Sequence, residues 1–303
     1  MGVSVAEYLG QRTDVVAPNI TPVLVTAPCP FSAGNNCMKT GSNKNPICSV
    51  RKDDGTYWIV CENRLCTTKK NLPLCTHQQD ILLDIAQHVF DSSVTMNRIH
   101  IKREEALHVS ASTDYKADYI MTIDNGHSPY PGPDRIILEM QGGGETSGTE
   151  KLTRIVNAWK NHAVPTNAML IASSQANTLE TNAWRRQQEQ FIVKGNIAMM
   201  TWKGYGMAFC VGTLLYDYLN SKIDFTTLPN LRNHNWTLAI IGIKEDTTNP
   251  PVPGPVPLVV DNTRLLYTNY QTFVHALINQ GLPSPDAFKG TFTTLNNTSV
   301  NIP

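Results

Sequence analysis

The sequence predicts an α/β (α+β) protein in which a mixed central sheet is flanked by helices and preceded by a cysteine-rich module. Three observations carry that expectation. Two short apolar runs, Ala117–Ile123 and Arg135–Gln141, are separated by turn signals at Asp124-Asn125-Gly126 and Pro129-Tyr130-Pro131-Gly132-Pro133, the pattern of paired strands. Asp80–Phe90 places Ile81, Leu82, Ile85, Ala86 and Val89 at helical spacing. Five of the seven cysteines, Cys29, Cys37, Cys48, Cys61 and Cys66, crowd into one N-terminal stretch with little apolar material of its own. The expected organisation is a cysteine-bearing segment over residues 1–75 and a core over residues 76–303.

Along the chain, Val5–Leu9 reads as a short helix and Val23-Leu24-Val25 as an apolar run. Tyr57-Trp58-Ile59-Val60 reads as a strand leading into Cys61. Thr76-His77-Gln78-Gln79 resembles a capping box opening the Asp80–Phe90 helix, which gives His77 a capping-turn role rather than a metal-ligand role. Arg98–Val109 alternates at Ile99 and Ile101 before Glu104 and Glu105. Gly142-Gly143-Gly144 lacks the Lys-Ser/Thr of a phosphate-binding loop, and is read as letting the backbone leave its strand close to a nucleic acid. Glu150–His162 is a helix carrying Lys151, Arg154 and Lys160, and Ala168–Ala172 a buried strand. Asn182–Lys203 is a long helix whose Arg185, Arg186, Lys194 and Lys203 form the best local basic patch. Its Gln187 and Gln188 suit groove contacts. Met207–Lys222 reads as a core helix with Cys210 as a small hydrophobe. Trp236–Ile243 is a strand, Asn249–Pro257 an extended surface loop, Asn269–Asn279 a final helix, and the C-terminal tail is polar.

Composition narrows the function classes. Twenty-five Lys plus Arg balance twenty-five Asp plus Glu, so a polyanion must be met by a local patch. No run approaches the roughly twenty apolar residues of a membrane span. The opening MGVSVAEYLGQR lacks the basic start and apolar core of an export signal, which points to a cytoplasmic protein without a membrane partner. An odd cysteine count in that setting argues against a disulfide framework and for a bound metal. Cys29, Cys37, Cys48 and Cys61 are the best ligand set, with Cys66 or Cys75 in place of Cys61 left open.

Glu139 and Gln141 stand two apart and share a strand face, and pairing of the two runs delivers Asp118 beside them. Two carboxylates and an amide make a ligand set for a hard divalent cation such as Mg²⁺. Glu104 or Glu105, on the preceding element, is the candidate for a further acid. The plainer alternative is a set of solvated strand-end carboxylates.

Cys29-Pro30-Phe31, Cys37-Met38-Lys39, Cys48-Ser49-Val50 and Cys61, followed by Asp118 and Glu139-Met140-Gln141, together resemble the NotI family of type II restriction endonucleases. That family couples a four-cysteine metal site, reported to hold iron, to a PD-(D/E)xK nuclease core whose last position is Gln. The resemblance covers the chain from Cys29 to about Gln141. It implies Mg²⁺-dependent cleavage of double-stranded DNA at a GC-rich palindrome such as CGGCCG, giving 5′-phosphates. It also implies a homodimer and structural Fe or Zn on the four cysteines. Asp118, Glu139 and Gln141, with Glu104 or Glu105, would be the catalytic set; beyond the reach of the resemblance, the basic residues Arg154, Arg185, Arg186 and Lys194 on their helices are the candidate DNA contacts. Cys66, in the run CENRLC, departs from the family pattern. The competing class is a thiolate-metal nucleic-acid-binding protein without catalysis.

Overall fold

The computed structural model describes residues 2–15, 20–22, 26–33, 35–40, 45–66, 70, 72–110, 113–124, 131–143, 146–201, 205–280 and 285–303. Val23-Leu24-Val25, residues 125–130, Gly144 and Lys203 lie outside them. Among the described residues, no helix is long and apolar enough to cross a membrane.

The chain opens with β1 (Val3–Tyr8) and β2 (Gln11–Arg12), joined through Leu9-Gly10, both at positive φ (47° and 70°). β3 (Ile47–Lys52) and β4 (Tyr57–Ile59) complete a four-stranded sheet in the order β2-β1-β3-β4. The expected Val5–Leu9 helix is therefore a strand. Val3 and Val5 enter one core cluster and Ala6 the other, so the strand is buried on both faces, and Tyr8 joins Val3 and Val5 after the register shifts at Glu7. Glu7 lies fully buried among them. Its carboxylate accepts from Ser49 Oγ (2.7 Å), Tyr57 Oη (2.5 Å), the Val256 amide (2.7 Å) and the Arg64 guanidinium (2.9 Å to Oε2). Arg64 donates in turn to the Val256 carbonyl.

α1 (Thr76–Val89) follows, burying Ile81, Leu82, Ile85, Ala86 and Val89 as its spacing predicts. Its N-cap is Cys75, and the Cys75 amide donates to Gln78 Oε1 (3.1 Å), so the capping box lies one residue earlier than the sequence suggested. His77 sits in the first turn, edge-on to Phe31, and burial lowers its pKa to about 3.

The central sheet has six strands in the order β12-β11-β10-β7-β6-β5. Its members are β5 (Ile99–Ser110), β6 (Thr113–Ile123), β7 (Arg135–Gln141), β10 (Gly206–Gly212), β11 (Leu238–Glu245) and β12 (Leu258–Thr268). β7, β10 and β11 run parallel, and the remaining pairings are antiparallel. Between β7 and β10 the chain forms β8 (Thr146–Ser147), α2 (Thr149–Lys160), α3 (Asn167–Leu170), β9 (Asn177–Thr178) and α4 (Glu180–Met200). α5 (Thr213–Ile223) follows β10, α6 (Tyr270–Ile278) follows β12, and β13 (Gly290–Thr293) pairs with β14 (Ser299–Ile302) in an exposed hairpin. Helices flank both sheet faces. α1 packs with Ala208, Cys210, Ala239 and Ile241, while α4 and α5 pack with Met207, Phe209, Leu238 and Ile240.

Two expectations are corrected here. Met207–Lys222 is a strand followed by a helix, because Gly206–Gly212 is buried on both faces and forms the middle of the sheet. A run buried on both faces carries no alternation to distinguish it from a helix. Ala168–Ala172 is not a buried strand. Leu170 is buried at the end of a single helical turn, while Ile171 is exposed and has no strand partner. All seven cysteines are free.

Candidate functional site

β5, β6 and β7 each bring one acid to a single row across the sheet. Arg103 faces Tyr119 and Glu105 faces Ala117, so Glu104 falls opposite Asp118. Tyr119 faces Leu138, which puts Asp118 beside Glu139. The Asp118 amide donates to Glu139 Oε1 (3.3 Å), and the Met140 amide donates to Asp118 Oδ2 (2.9 Å). Glu104 holds φ at 46° inside a strand whose register is undisturbed on either side. An L-residue in that region costs about 1–2 kcal/mol, and such strain persists where the surrounding structure aims a side chain. Glu105 points elsewhere, pairing with Lys70 (3.2 Å) and Lys102 (3.6 Å). Of the two acids left open by the sequence, Glu104 joins the row and Glu105 does not.

The row is buried enough to perturb its own chemistry. Burial, reinforced by Asp118, pushes the Glu139 carboxyl up to about 8 against the opposing pull of Lys194. Burial also raises Asp118, helped by Glu104 and Glu62 and opposed by the Met140 amide. The Lys194 ammonium donates to Glu139 Oε2 at 2.7 Å, and both residues are buried. That corrects the expectation for Lys194, which is turned into the site and is not a surface contact for a phosphate. The signal was present in the sequence. Lys194 lies three residues after Phe191 and four before Ala198, on the buried face of α4.

α4 forms the roof. Ala183, Gln187, Gln190 and Lys194 follow one another at four-, three- and four-residue steps, which is one helix face. Gln187 Nε2 donates to Gln141 Oε1 (2.8 Å), and Gln141 Nε2 donates to the Gly143 carbonyl (2.6 Å). Gln187 is thereby committed to fixing the Gln141 amide, a role that helix spacing alone does not reveal. Gly142 and Gly143 line the cleft and pack closely against β4. A Cβ would meet Ile59 at 2.5 Å or Trp58 at 2.4 Å, and Gly143 holds φ at 139°. Arg186 is exposed at the edge of the cleft, Arg185 is exposed on the same helix, and Arg154 is exposed on α2.

A cleft of about 660 Å³ joins this row to the cysteines, its lining including Glu62, Glu104, Asp118, Glu139, Gln141 and Arg186 together with Cys29, Cys37, Cys48 and Cys61. Cys29 and Cys48 are buried around Phe31, with Cys37, Cys61 and Cys75 packed against them. The Gly10 amide donates to Cys48 Sγ at 3.3 Å. Burial raises the pKa values of all four thiols, and Cys29, Cys37 and Cys61 influence one another electrostatically. Cys66 packs instead against the core cluster that holds Tyr119 and Met140, and burial and the Asp118 charge push its thiol pKa up. The structure therefore groups Cys61, not Cys66, with Cys29, Cys37 and Cys48.

Among the described residues, no group of three or more His, Cys, Asp or Glu side chains is gathered as a metal-holding cluster. The donor chemistry nonetheless fits two kinds of ion. Carboxylates in excess over one ammonium suit a hard divalent cation, and four thiols around one pocket suit a soft ion that would deprotonate them. In comparisons with known proteins, no family model and no curated protein matches the chain.

Proposed function

We propose that this chain is a type II restriction endonuclease of the kind its cysteine and acid motifs resemble. Its PD-(D/E)xK nuclease core would cleave double-stranded DNA, braced by a four-cysteine module holding Fe or Zn. The observation that carries the reading is the row Glu104–Asp118–Glu139, one acid from each of three adjacent strands, opening into a cleft roofed by Gln187, Gln190 and Arg186.

Asp118 and Glu139, with Glu104, would hold Mg²⁺. When bound, the ion supplies Lewis-acid polarisation of the scissile phosphate and a lowered pKa for its water. The chain's own residues bind and orient. Gln141, pinned by Gln187 and Gly143, presents an uncharged amide whose orientation is set before substrate arrives. Arg186, at the cleft edge, is placed to meet a phosphate, the contact that positions a duplex without reading it. A palindromic target such as CGGCCG requires a twofold homodimer, with each subunit reading one half-site.

Purified protein incubated with long, sequenced duplex DNA and Mg²⁺ tests the reading. Discrete fragments whose 5′-phosphate ends map to one palindrome are expected. A smear would remove the sequence specificity. Intact DNA with folded protein would leave a thiolate-metal binding module without catalysis.

A further inference from the structure

The row of three acids contains one cation that belongs to the fold itself. We propose that Lys194 is the built-in counter-ion of this carboxylate row, a positioning residue whose ammonium holds Glu139 in place and sets the row's affinity for a divalent cation. The inference deepens the nuclease reading by resting on its metal site, but it does not depend on cleavage.

The placement of Lys194 is costly and specific. On α4 it shares the buried face with Phe191, Gly195 and Ala198, and Ala198 packs with Ala117 and Ile137 of the sheet. Removing an ammonium from water is expensive, and well-packed apolar residues often replace a buried ion pair with no loss of stability. Stability alone does not call for a lysine there. Among the described residues the ammonium donates to Glu139 Oε2 alone, at 2.7 Å, although it can donate three hydrogen bonds.

The charge balance supplies the reason. Glu104, Asp118 and Glu139 lie in one row, and Glu62 lines the same cleft. Like carboxylates this close disfavour one another's ionisation. The ammonium offsets one of them and fixes Glu139 where its other oxygen, Oε1, accepts from the Asp118 amide. The same positive charge repels an arriving divalent ion. Lys194 therefore keeps the row organised before the ion binds and weakens the binding once it does.

Lys194→Gln keeps an N–H donor for Glu139 and removes the charge, whereas Lys194→Arg keeps the charge. The test measures Mn²⁺ and Mg²⁺ binding by calorimetry and by the cation-induced rise in Tm, starting from chelator-treated protein without DNA. The expected result is that Lys194→Gln binds Mn²⁺ at least about tenfold more tightly than the parent. It should also melt at a lower temperature in chelator and gain more degrees on adding the ion. Lys194→Arg should restore the parent affinity. Combined with Glu139→Gln, the Lys194→Gln effect on affinity should shrink, since the two act through one contact.

Equal cation affinity in parent and Lys194→Gln would overturn the proposal, as would the absence of any cation-dependent shift in all the variants. If Lys194→Gln folds only when the ion is present, that rescue supports the proposal. The nuclease reading is judged separately by DNA digestion. Tighter cation binding in Lys194→Gln with DNA left intact by the parent retains the counter-ion and removes the nuclease. Cleavage by the parent with unchanged affinity in the variant does the reverse.

Discussion

Replacing Glu104 with glycine should stabilise the metal-free protein while disabling its site. Glu104 holds φ at 46° within β5, a conformation that costs an L-residue about 1–2 kcal/mol. Glycine adopts it freely, at an entropic cost of about 0.5–1 kcal/mol. The difference favours Glu104→Gly by up to about 1.5 kcal/mol, with a midpoint of roughly 0.75 kcal/mol. Removing a carboxylate that raises the pKa of Asp118 adds to that gain. Glu105→Gly is the internal control. Its residue has ordinary strand geometry and pairs with Lys70 and Lys102, so the change should destabilise. Urea unfolding of the parent and both variants in chelator gives the comparison, and Mn²⁺ titration gives the second readout. The expected pattern is a higher midpoint for Glu104→Gly with a weakened cation response, and a lower midpoint for Glu105→Gly with the response retained. If Glu104→Gly destabilises as Glu105→Gly does, strain at a functional acid is the wrong account of β5.

Two further outcomes follow from buried charges away from the row. Arg64→Met leaves the fully buried Glu7 carboxylate without its guanidinium and should cost about 3–5 kcal/mol in urea unfolding; the double change with Glu7→Gln should recover much of that loss, because the uncompensated charge is then gone. His88, whose ring nitrogens meet Asp84 and Asn262, has its pKa raised from 6.5 to about 9, chiefly by its hydrogen bond to Asp84. Its folded pKa exceeds the unfolded value, so its stabilising contribution is complete below pH 6.5 and is lost as pH rises towards 9. A Tm series across that window should fall more steeply for the parent than for His88→Ala.

The helices with one exposed face were the most legible parts of this chain. Periodicity located α1, α2 and α6, because each carries an apolar stripe against a polar one. The paired runs of β6 and β7 were marked by the Pro- and Gly-rich stretch between them. Physics hid the others in different ways. β1 and β10 are buried on both faces, so their apolar runs imitate helices. β12 went unrecognised because Asp261-Asn262-Thr263-Arg264 interrupts its apolar pattern, where the register with β11 shifts.

Within the site, spacing alone put Glu139 and Gln141 on one face and brought Asp118 to them. It did not separate Glu104 from Glu105, since that choice depends on a positive φ that sequence does not announce. Lys194 was read as one of several basic residues on a surface helix. Its burial follows from the positions of Phe191 and Ala198, and its partner is set by the tertiary approach of α4 to β7. Cys66 was left as a spare among the cysteines, and its place beside Tyr119 depends on how the segment after Cys61 turns towards the carboxylate row.

The central claim is that Asp118 and Glu139 are catalytic carboxylates acting on DNA. The most direct measurement compares digestion of a plasmid of known sequence by the parent, Glu139→Ala and Asp118→Asn. All three proteins are verified as folded, and each is assayed with Mg²⁺ and with EDTA. The account predicts defined fragments from the parent with Mg²⁺ only, and intact plasmid from both variants. Fragments from folded Glu139→Ala, or from the parent in EDTA, would contradict it.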